Sequence, residues 1–157
     1  MTNLLSDIFD LGAIRLNLDG KTKEMVFVEL ISAISTLHPE CKAPELLAAI
    51  RHREEQMNTG IGSGIAVPHI AYKGINKMVG AIGVSQCGID YEAMDKKPVH
   101  VVFLLITNEK PDENHLRVLN LILKLAQSEA FPQIRKAEKV ETIYNILSNV
   151  HLAGGVV

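Results

Sequence analysis

The chain has 157 residues, of which 47% are hydrophobic and 22% charged, a composition typical of a folded globular domain and unlike that of a disordered chain. Its 16 basic and 18 acidic residues leave a formal net charge of −2, which disfavours general binding to nucleic acids. The length suits one domain and no Pro-, Gly- or Ser-rich linker divides it. We therefore predict a single domain over residues 1–157, with a frayed tail from about residue 151.

Targeting and membrane signals are not evident. The N-terminus has no basic stretch followed by an apolar core, so no signal peptide is predicted. The densest apolar run, Val99–Ile106, is too short to span a bilayer. Cys41 and Cys87 lie far apart with no second thiol beside either, which favours a reducing compartment over a disulfide or a zinc site. These features together predict a cytoplasmic protein.

The first half of the chain predicts one strand and two helices. Apolar and polar residues alternate over Ile14–Asp19, as in a half-buried strand. Thr22 can cap a helix that continues to about Leu37. Pro44 favours the first turn of a second helix, which continues to about Met57.

The middle of the chain changes character at a glycine-rich stretch. Asn58–Gly64 has three glycines in five residues, which predicts a loop with unusual backbone freedom. The short strand predicted over Ile65–Val67 ends at Pro68 and His69.

Strands alternate with helices in the remainder of the chain. Apolar stretches predict strands over Met78–Ser85 and Val99–Ile106, with a loop over Gly88–Lys97 between them. Pro111 is expected to open a helix with apolar residues from Leu116 to Leu125, and a last helical region runs from Pro132 to Leu147. This alternation predicts an α/β fold.

His69 is the strongest candidate for a reactive residue. It follows the glycine-rich loop at the C-terminal end of a predicted strand, where sites collect in α/β sheets. Free N–H groups of that loop, with Thr59, Gly60, Gly62 and Gly64, could hold a phosphate. A neutral imidazole attacks phosphorus readily near neutral pH, so His69 can act as a nucleophile. The alternative is a histidine at the end of a loop with no partner.

Arg53 is a second candidate because it interrupts an apolar helix face. Positions 46, 50, 53 and 57 share one face, and the other three residues there are Leu46, Ile50 and Met57. An arginine in that setting requires an anion or a route to solvent. The anion can be a carboxylate or a phosphate in a bidentate grip, and a simple surface position stays open as an alternative.

His115 is the third candidate, in or beside the first turn of the helix after Pro111. A helix N-terminus attracts anions, so a neutral imidazole there could donate a hydrogen bond to a phosphate. A histidine at the edge of the core is the alternative. We expect structural or surface positions for the three other histidines weighed, which are His38, His100 and His151.

Metal and nucleotide sites have little support in the sequence. No metal-binding spacing of the HExxH, CxxC or EF-hand type occurs. The glycine run lacks the Gly-Lys-Ser/Thr ending of a nucleotide-binding P-loop and precedes a strand instead of a helix. We therefore expect neither a metal nor a cofactor.

Six short motifs follow one another along the chain. They are Arg53–Glu55, Thr59–Gly62, Gly64–His69, Gly88–Tyr91, Lys97–His100 and His115–Leu116. Their order and spacing resemble those of IIA domains of the bacterial phosphotransferase system, in the mannitol/fructose group that includes the nitrogen-regulatory type. The resemblance extends from Leu5 to about Leu147.

The resemblance implies a fold, a reaction and partners. The fold would be an α/β sandwich with a mixed central sheet and helices on both faces. His69 would be the phosphorylated histidine, Arg53 would contact the phosphate, and His115 would assist without carrying it. The donor would be a histidine phosphocarrier protein, and the target a IIB domain of a permease or a regulated transporter or kinase.

Within this family the resemblance leaves two roles open. The sequence shows no attached phosphocarrier, IIB or membrane domain, and the opening Leu5–Phe9 resembles the nitrogen type, so we expect a regulatory role over sugar uptake. Two other classes remain: a protein-interaction module that is not phosphorylated, and a small-molecule-binding domain with apolar walls around His69. We also expect Ile61, Ile65 and Ile70 to form an apolar rim for a partner. Ile70 is bulkier than the residues common there in the family.

Overall fold

A mixed β-sheet with helices on both faces forms the centre of the structure, which confirms the predicted fold class. The computed structural model describes residues 4–110, 113–151 and 155–156. The helices are α1 (Leu4–Ile8), α2 (Lys23–Leu37), α3 (Ala43–Gln56), α4 (Glu113–Ala126), α5 (Ala130–Arg135) and α6 (Val140–Ser148). The strands are β1 (Ile14–Arg15), β2 (Gly60–Gly62), β3 (Ile65–Ala66), β4 (His69–Ala71), β5 (Val79–Ile89), β6 (Val99–Thr107), β7 (Val150–His151) and β8 (Gly155–Val156).

Strand β6 organises the main sheet. It pairs antiparallel with β5 on one side and parallel with β3 and β4 on the other. β1 adds to the free side of β5 and β2 to the free side of β3, so the strand order is β1-β5-β6-β3-β2. β6 is apolar at almost every position because both of its faces are covered.

The two faces of the sheet belong to different helical layers. Val102, Leu104 and Ile106 pack with α2 and α3 on one face. Val101 and Leu105 point the other way and pack with α1, α4, α5 and α6. This alternation follows from the two-residue period of a strand, and it places α3 and α4 on opposite sides of β6.

The two helices that follow the first strand start where the sequence predicts them. Thr22 caps α2, and its Oγ1 accepts a hydrogen bond from the Met25 amide at 3.3 Å. Pro44 lies in the first turn of α3, where its missing N–H has no helical partner to lose. Both predicted helices are confirmed to within one residue at their C-terminal ends.

Strands β3 and β4 lie in line along β6, with Val67 and Pro68 between them. Pro68 has no N–H to donate, but its carbonyl accepts a hydrogen bond of 2.9 Å from the Leu105 amide. The predicted strand does end before Pro68, because β3 stops at Ala66, but the extended backbone resumes at His69, which begins β4 opposite Leu105. The parallel pairing with β6 is the physical reason, since it holds the chain extended beyond the proline.

Several other predicted boundaries differ from the structure. The strand over Ile14–Asp19 stops at Arg15, because the backbone turns at Asn17, which has a φ of 55°. Part of the predicted glycine loop forms β2, and Gly88 lies within β5 instead of a loop. The last helical region is two helices, α5 and α6.

Two apolar residues at helix ends are also more exposed than predicted, one after α3 and one in the first turn of α4. Met57 follows the end of α3 and is 63% exposed, and Leu116 in the first turn of α4 is 63% exposed. Pro111, which is expected to open that helix, lies outside the described residues. The frayed tail is wrong for residues 151, 155 and 156, because β7 and β8 pair in a small antiparallel sheet.

Both cysteines are free thiols, and Cys41 is buried whereas Cys87 is exposed. Within the described ranges, no helix combines the length and the apolar character that crossing a membrane requires.

Gly80 allows β5 to pack tightly in the row of paired residues across the sheet that also contains His69. It pairs with Leu105, which in turn pairs with His69. A Cβ on Gly80 would lie 2.5 Å from Cε1 of Phe9 and 2.7 Å from the Leu104 carbonyl oxygen. The backbone oxygen cannot move away without breaking the sheet.

We predict that Gly80→Ala lowers the free energy of unfolding by about 1–3 kcal/mol, as overpacking of a core does. Urea denaturation checks this result. Gly12→Ala is the matched control, because its Cβ would meet the flexible Leu37 side chain and the Asp10 carboxylate at 3.2–3.4 Å. Equal stabilities of the two variants would contradict the account of Gly80.

Candidate functional site

A shallow cleft of about 350 Å³ lies where α3, the sheet and the start of α4 meet. Its lining residues are Ala49, His52, Arg53, Gln56, His69, Ile70, Ala71, Thr107 and His115. The four residues from α3 are spaced as one helix face. The cleft therefore brings together all three residues that the sequence singles out, from three different elements of structure.

His69 is held in one orientation by its own backbone. Its Nδ1 lies 2.8 Å from the carbonyl oxygen of Val67. A carbonyl can only accept, so Nδ1 carries the proton and donates it. The lone pair of the neutral ring is therefore on Nε2. This arrangement leaves Nε2 as the ring nitrogen that can accept a bond.

His115 lines the same cleft as His69, and the two rings are neighbours. It occupies the first turn of α4, and the centroids of the two rings are 5.8 Å apart with their planes inclined by 56°. The first turn of a helix presents N–H groups and the positive end of the helix dipole. An anion bound between the two imidazoles would therefore lie near a favourable electrostatic field.

Arg53 comes to the cleft from the last turn of α3 and is partly buried. In the part of the chain that the structure describes, its guanidinium has no hydrogen bond or ion pair. Arg53 therefore forms no salt bridge with any residue that the structure describes. Its donors face the same cleft as His69, where they can contact an anion.

The glycine-rich stretch does not line this cleft, and the predicted phosphate loop is wrong in its first two residues. The Thr59 amide donates to Glu54 Oε1 at 2.9 Å, and the Gly60 amide donates to Asn58 Oδ1 at 2.7 Å. These N–H groups are therefore already used within the loop and are not available to a phosphate.

The other two glycines of the predicted phosphate loop lie too far along the sheet. Gly64 immediately precedes Ile65, which pairs with Val101, whereas His69 pairs with Leu105. Four residues of extended strand separate the two positions by about 13 Å. A Cβ on Gly62 would meet Asp95, which shows that this glycine also faces away from the cleft.

The predicted apolar rim is also largely wrong. Ile65 and Ile70 are 2% and 7% exposed and belong to the core, because their side chains pack into the two hydrophobic clusters on opposite faces of the sheet. Ile61, on the edge strand β2, is 46% exposed. The bulky Ile70 therefore packs in the core next to α3 and also forms part of the lining of the cleft.

Other histidines have the structural surroundings that the sequence predicts. His100 Nδ1 lies 2.9 Å from the Ser85 carbonyl, and its Nε2 lies 3.1 Å from Arg135 Nη2. His38 Nδ1 is 3.8 Å from a Glu40 carboxylate oxygen.

Sequence reasoning missed five polar or small residues of the cleft, which are Ala49, His52, Gln56, Ala71 and Thr107. Ala49, His52 and Gln56 share a helix face with Arg53, so their spacing along α3 was the available signal. Thr107 had no such signal, because it reaches the cleft only through the pairing of β6 with β4.

A buried polar cluster lies behind Arg53. Glu54 accepts a hydrogen bond of 2.8 Å from Thr59 Oγ1, and that hydroxyl lies 2.7 Å from the hydroxyl of Tyr91. Burial, with the negative charge of Glu54 nearby, raises the pKa of Tyr91 far above its ordinary value. Tyr91 of the folded chain therefore stays protonated at neutral pH.

Comparison with known proteins decides the family. The family model described as "Phosphoenolpyruvate-dependent sugar phosphotransferase system, EIIA 2" matches residues 7–150. The chain belongs to this family. This assignment agrees with the resemblance seen in the six sequence motifs.

Relatives within the EIIA 2 family include proteins named as sugar-specific components and proteins named as nitrogen regulators. A fructose-specific EIIABC component of Bacillus subtilis is 32% identical over 92% of this chain, which spans only 23% of that relative. A nitrogen regulatory protein of Pseudomonas aeruginosa is 29% identical over 93% of this chain and 96% of its own length. The family is therefore shared by sugar-specific and regulatory proteins.

Solved EIIA structures have the same fold. The nitrogen regulatory protein IIA-Ntr of Neisseria meningitidis has a TM-score of 0.82 at 25% identity, covering 92% of this chain and 99% of its own. In a complex of enzyme IIA mannitol with phosphorylated enzyme IIB mannitol from Escherichia coli, the matching chain has a TM-score of 0.70 at 19% identity. The match covers 89% of this chain and 98% of that one.

The buried hydroxyl of Tyr91 predicts a loss of stability in alkali. Its pKa is raised in the folded state above the ordinary value of 10.0, so the stabilising contribution is complete below pH 10. Above that pH the unfolded chain releases the proton while the folded chain retains it. The free energy of unfolding then falls by up to about 1.4 kcal/mol per pH unit.

We predict that Tyr91→Phe flattens this decline between about pH 10 and pH 11, relative to the wild type. At neutral pH the variant is less stable by about 1 kcal/mol because the bond to Thr59 is lost. Urea denaturation at each pH provides the measurement. Equal alkaline slopes in the two proteins would show that Tyr91 does not titrate as described.

Proposed function

We propose that this chain is a phosphocarrier that accepts a phosphoryl group on Nε2 of His69. The observation that supports this most directly is the convergence of His69, His115 and Arg53 on one cleft. The bond from Nδ1 to the Val67 carbonyl leaves the nucleophilic lone pair on Nε2. Membership of the EIIA 2 family supports phosphoryl transfer as the reaction.

The transfer of the phosphoryl group requires no movement of a proton. The lone pair of His69 Nε2 forms the new N–P bond in line with the donor nitrogen, while the electron pair of the old N–P bond returns to the donor imidazole. His69 keeps its Nδ1 proton, which stays bonded to Val67. The reaction therefore needs positioning and charge stabilisation and no general acid or base.

Arg53 and His115 supply that stabilisation. The guanidinium can grip two equatorial oxygens of the moving phosphoryl group, which carry its negative charge. His115 can donate one hydrogen bond to a phosphoryl oxygen from the opposite side of His69. Neither residue forms a bond to phosphorus in this account, and no metal or cofactor takes part.

For the partners, we propose a histidine phosphocarrier protein as the donor and a regulated protein, such as a transporter or kinase, as the target. The nitrogen regulatory relative is matched over 96% of its length, and the IIA-Ntr structure has a higher TM-score than the mannitol-type complex, 0.82 against 0.70. Both observations favour a regulatory role. These reactions would place the protein in the cytoplasm.

A sugar-specific role is the second candidate, in which the phosphoryl group passes to a IIB domain of a permease. The fructose-specific relative at 32% identity favours it. The two roles share the chemistry at His69 and differ only in the target.

Two other classes have less support. The cleft is small, at about 350 Å³, and it contains Arg53, His69 and His115, which suit an anion such as a phosphoryl group better than an apolar small molecule. An interaction module without phosphorylation does not require three phosphate-handling residues to meet in one place. Labelling with phosphate tests this last alternative directly.

We predict that the wild type takes up one acid-labile phosphoryl group from phosphoenolpyruvate, enzyme I and a histidine phosphocarrier, and that His69→Ala takes up none. Intact-protein mass spectrometry measures the label. His52→Ala is the matched control, because it lines the same cleft but is not assigned the nucleophile. Label that persists in folded His69→Ala would mean that another residue carries the phosphoryl group.

We further predict that Arg53→Ala slows labelling by about 10²-fold, as loss of a preorganised charge partner does. His115→Ala slows it by about tenfold, because one hydrogen bond to a charged oxygen is lost. Rapid-quench kinetics with the same donor provide the rates. Both variants still carry the label on His69, and unchanged rates would exclude them from the transfer step.

A further inference from the structure

The residue that follows Arg53 is a buried carboxylate with several partners. The Glu54 side chain is only 5% exposed. Its oxygens accept hydrogen bonds from the Thr59 amide at 2.9 Å and the Thr59 hydroxyl at 2.8 Å, and lie 3.4 Å from Lys23 Nζ. A carboxylate so placed joins α3 to α2 and to the start of β2.

The hydroxyl groups behind Glu54 have a fixed direction of donation. The ionised carboxylate can only accept, so the Thr59 hydroxyl donates to Glu54. Tyr91 must then donate to Thr59 Oγ1 across 2.7 Å. Tyr91 is fully buried and remains protonated, so this orientation does not change with conditions. Lys23 Nζ also lies 5.0 Å from the centre of the Tyr91 ring.

This cluster fixes the segment of α3 from which Arg53 projects. The helix ends at Gln56, and the last bond of its ladder joins the Met57 amide to the Arg53 carbonyl at 3.1 Å. Helix ends fray unless side chains hold them. Since the Arg53 guanidinium has no partner among the described residues, its position follows the backbone of this turn.

We propose that Glu54 is a positioning residue for phosphoryl transfer, which acts by holding the last turn of α3 so that Arg53 faces His69. Glu54 itself does not line the cleft or contact the reacting atoms. The inference rests on the proposed function, because it assigns Arg53 a role in stabilising the transferred group. A misplacement of a charged partner by 1 Å is enough to slow such a reaction substantially.

The opposite end of α3 supplies a comparison. Tyr72 donates to the Glu45 carboxylate at 2.6 Å and accepts from the Lys42 amide at 3.3 Å, so it holds the first turn of the helix. Eight residues of helix, or about 12 Å, separate Glu45 from Arg53. Loss of this contact loosens α3 without acting on the turn that carries Arg53.

The first test compares rates of transfer from a saturating phosphorylated histidine phosphocarrier. Glu54→Gln keeps the shape of the side chain but removes its charge and one acceptor oxygen. We expect its maximal rate to fall by about tenfold to hundredfold, with the KM for the donor changed by less than about twofold. Thr59→Val removes the hydroxyl without a change of charge and serves as a second variant if Glu54→Gln fails to fold.

Two controls separate positioning from stability. Glu55→Gln changes an exposed carboxylate on the neighbouring position, and Tyr72→Phe loosens the other end of the same helix. We expect both to retain the wild-type rate within about twofold, whatever their stability in urea. A rate loss in Tyr72→Phe as large as that in Glu54→Gln would overturn the proposal, because the effect would then be a general loosening of α3.

A double substitution shows whether Glu54 acts through Arg53. In the Arg53→Ala background, Glu54→Gln should slow the residual reaction by less than about twofold, because the group that it positions is already gone. The same factor in both backgrounds would overturn the proposal. So would a wild-type rate in Glu54→Gln.

A measurement that does not depend on transfer distinguishes failure of this inference from failure of the proposed function. In NMR spectra of the ¹⁵N-labelled full chain, the heteronuclear NOE of Arg53 Nε should show an ordered side-chain stem in the wild type and Glu55→Gln, and greater mobility in Glu54→Gln. An unlabelled wild type in the phosphate assay would reject only the proposed function. An unchanged NOE in Glu54→Gln would reject the positioning role.

Discussion

The hydrogen bond from His69 Nδ1 to the Val67 carbonyl is the interaction on which the account of the site depends. It exists because Pro68 interrupts the strand while the residues on each side stay paired with β6. The interruption turns the Val67 carbonyl toward the ring two residues later instead of into the sheet. One backbone oxygen thereby selects the tautomer of His69 and leaves the lone pair on Nε2, the atom that we propose as the nucleophile.

The site is assembled from both sides of the sheet. Arg53 arrives on α3, which packs on one face, and His115 arrives on α4, which packs on the other. His69 lies between them on β4, beside the end of β6. Each helix contributes a different electrostatic element, a guanidinium from a C-terminal turn and an imidazole within an N-terminal turn. Packing of two separate cores therefore determines the geometry of one cleft.

The local features of the fold and the identity of the three central residues could be predicted from sequence. Helix α2 begins after a capping threonine, α3 has a proline in its first turn, and His69 has an unusual Pro-His setting. The role of the glycine loop could not be predicted from sequence, because short-range composition does not reveal that the Thr59 amide is already bonded to Glu54. The position of Thr107 in the cleft could not be predicted either, because it depends on parallel strand pairing between distant segments. Both failures concern contacts set by tertiary structure.

The central claim is that Nε2 of His69 carries the phosphoryl group, and NMR of the phosphorylated, ¹⁵N-histidine-labelled protein tests it most directly. Long-range proton–nitrogen correlation identifies each ring nitrogen, and phosphorus–nitrogen coupling identifies the one bonded to phosphorus. The account predicts coupling to Nε2 of His69, with the proton retained on Nδ1 and bonded to Val67. Phosphorus on Nδ1 of His69, or on either nitrogen of His115, would contradict it.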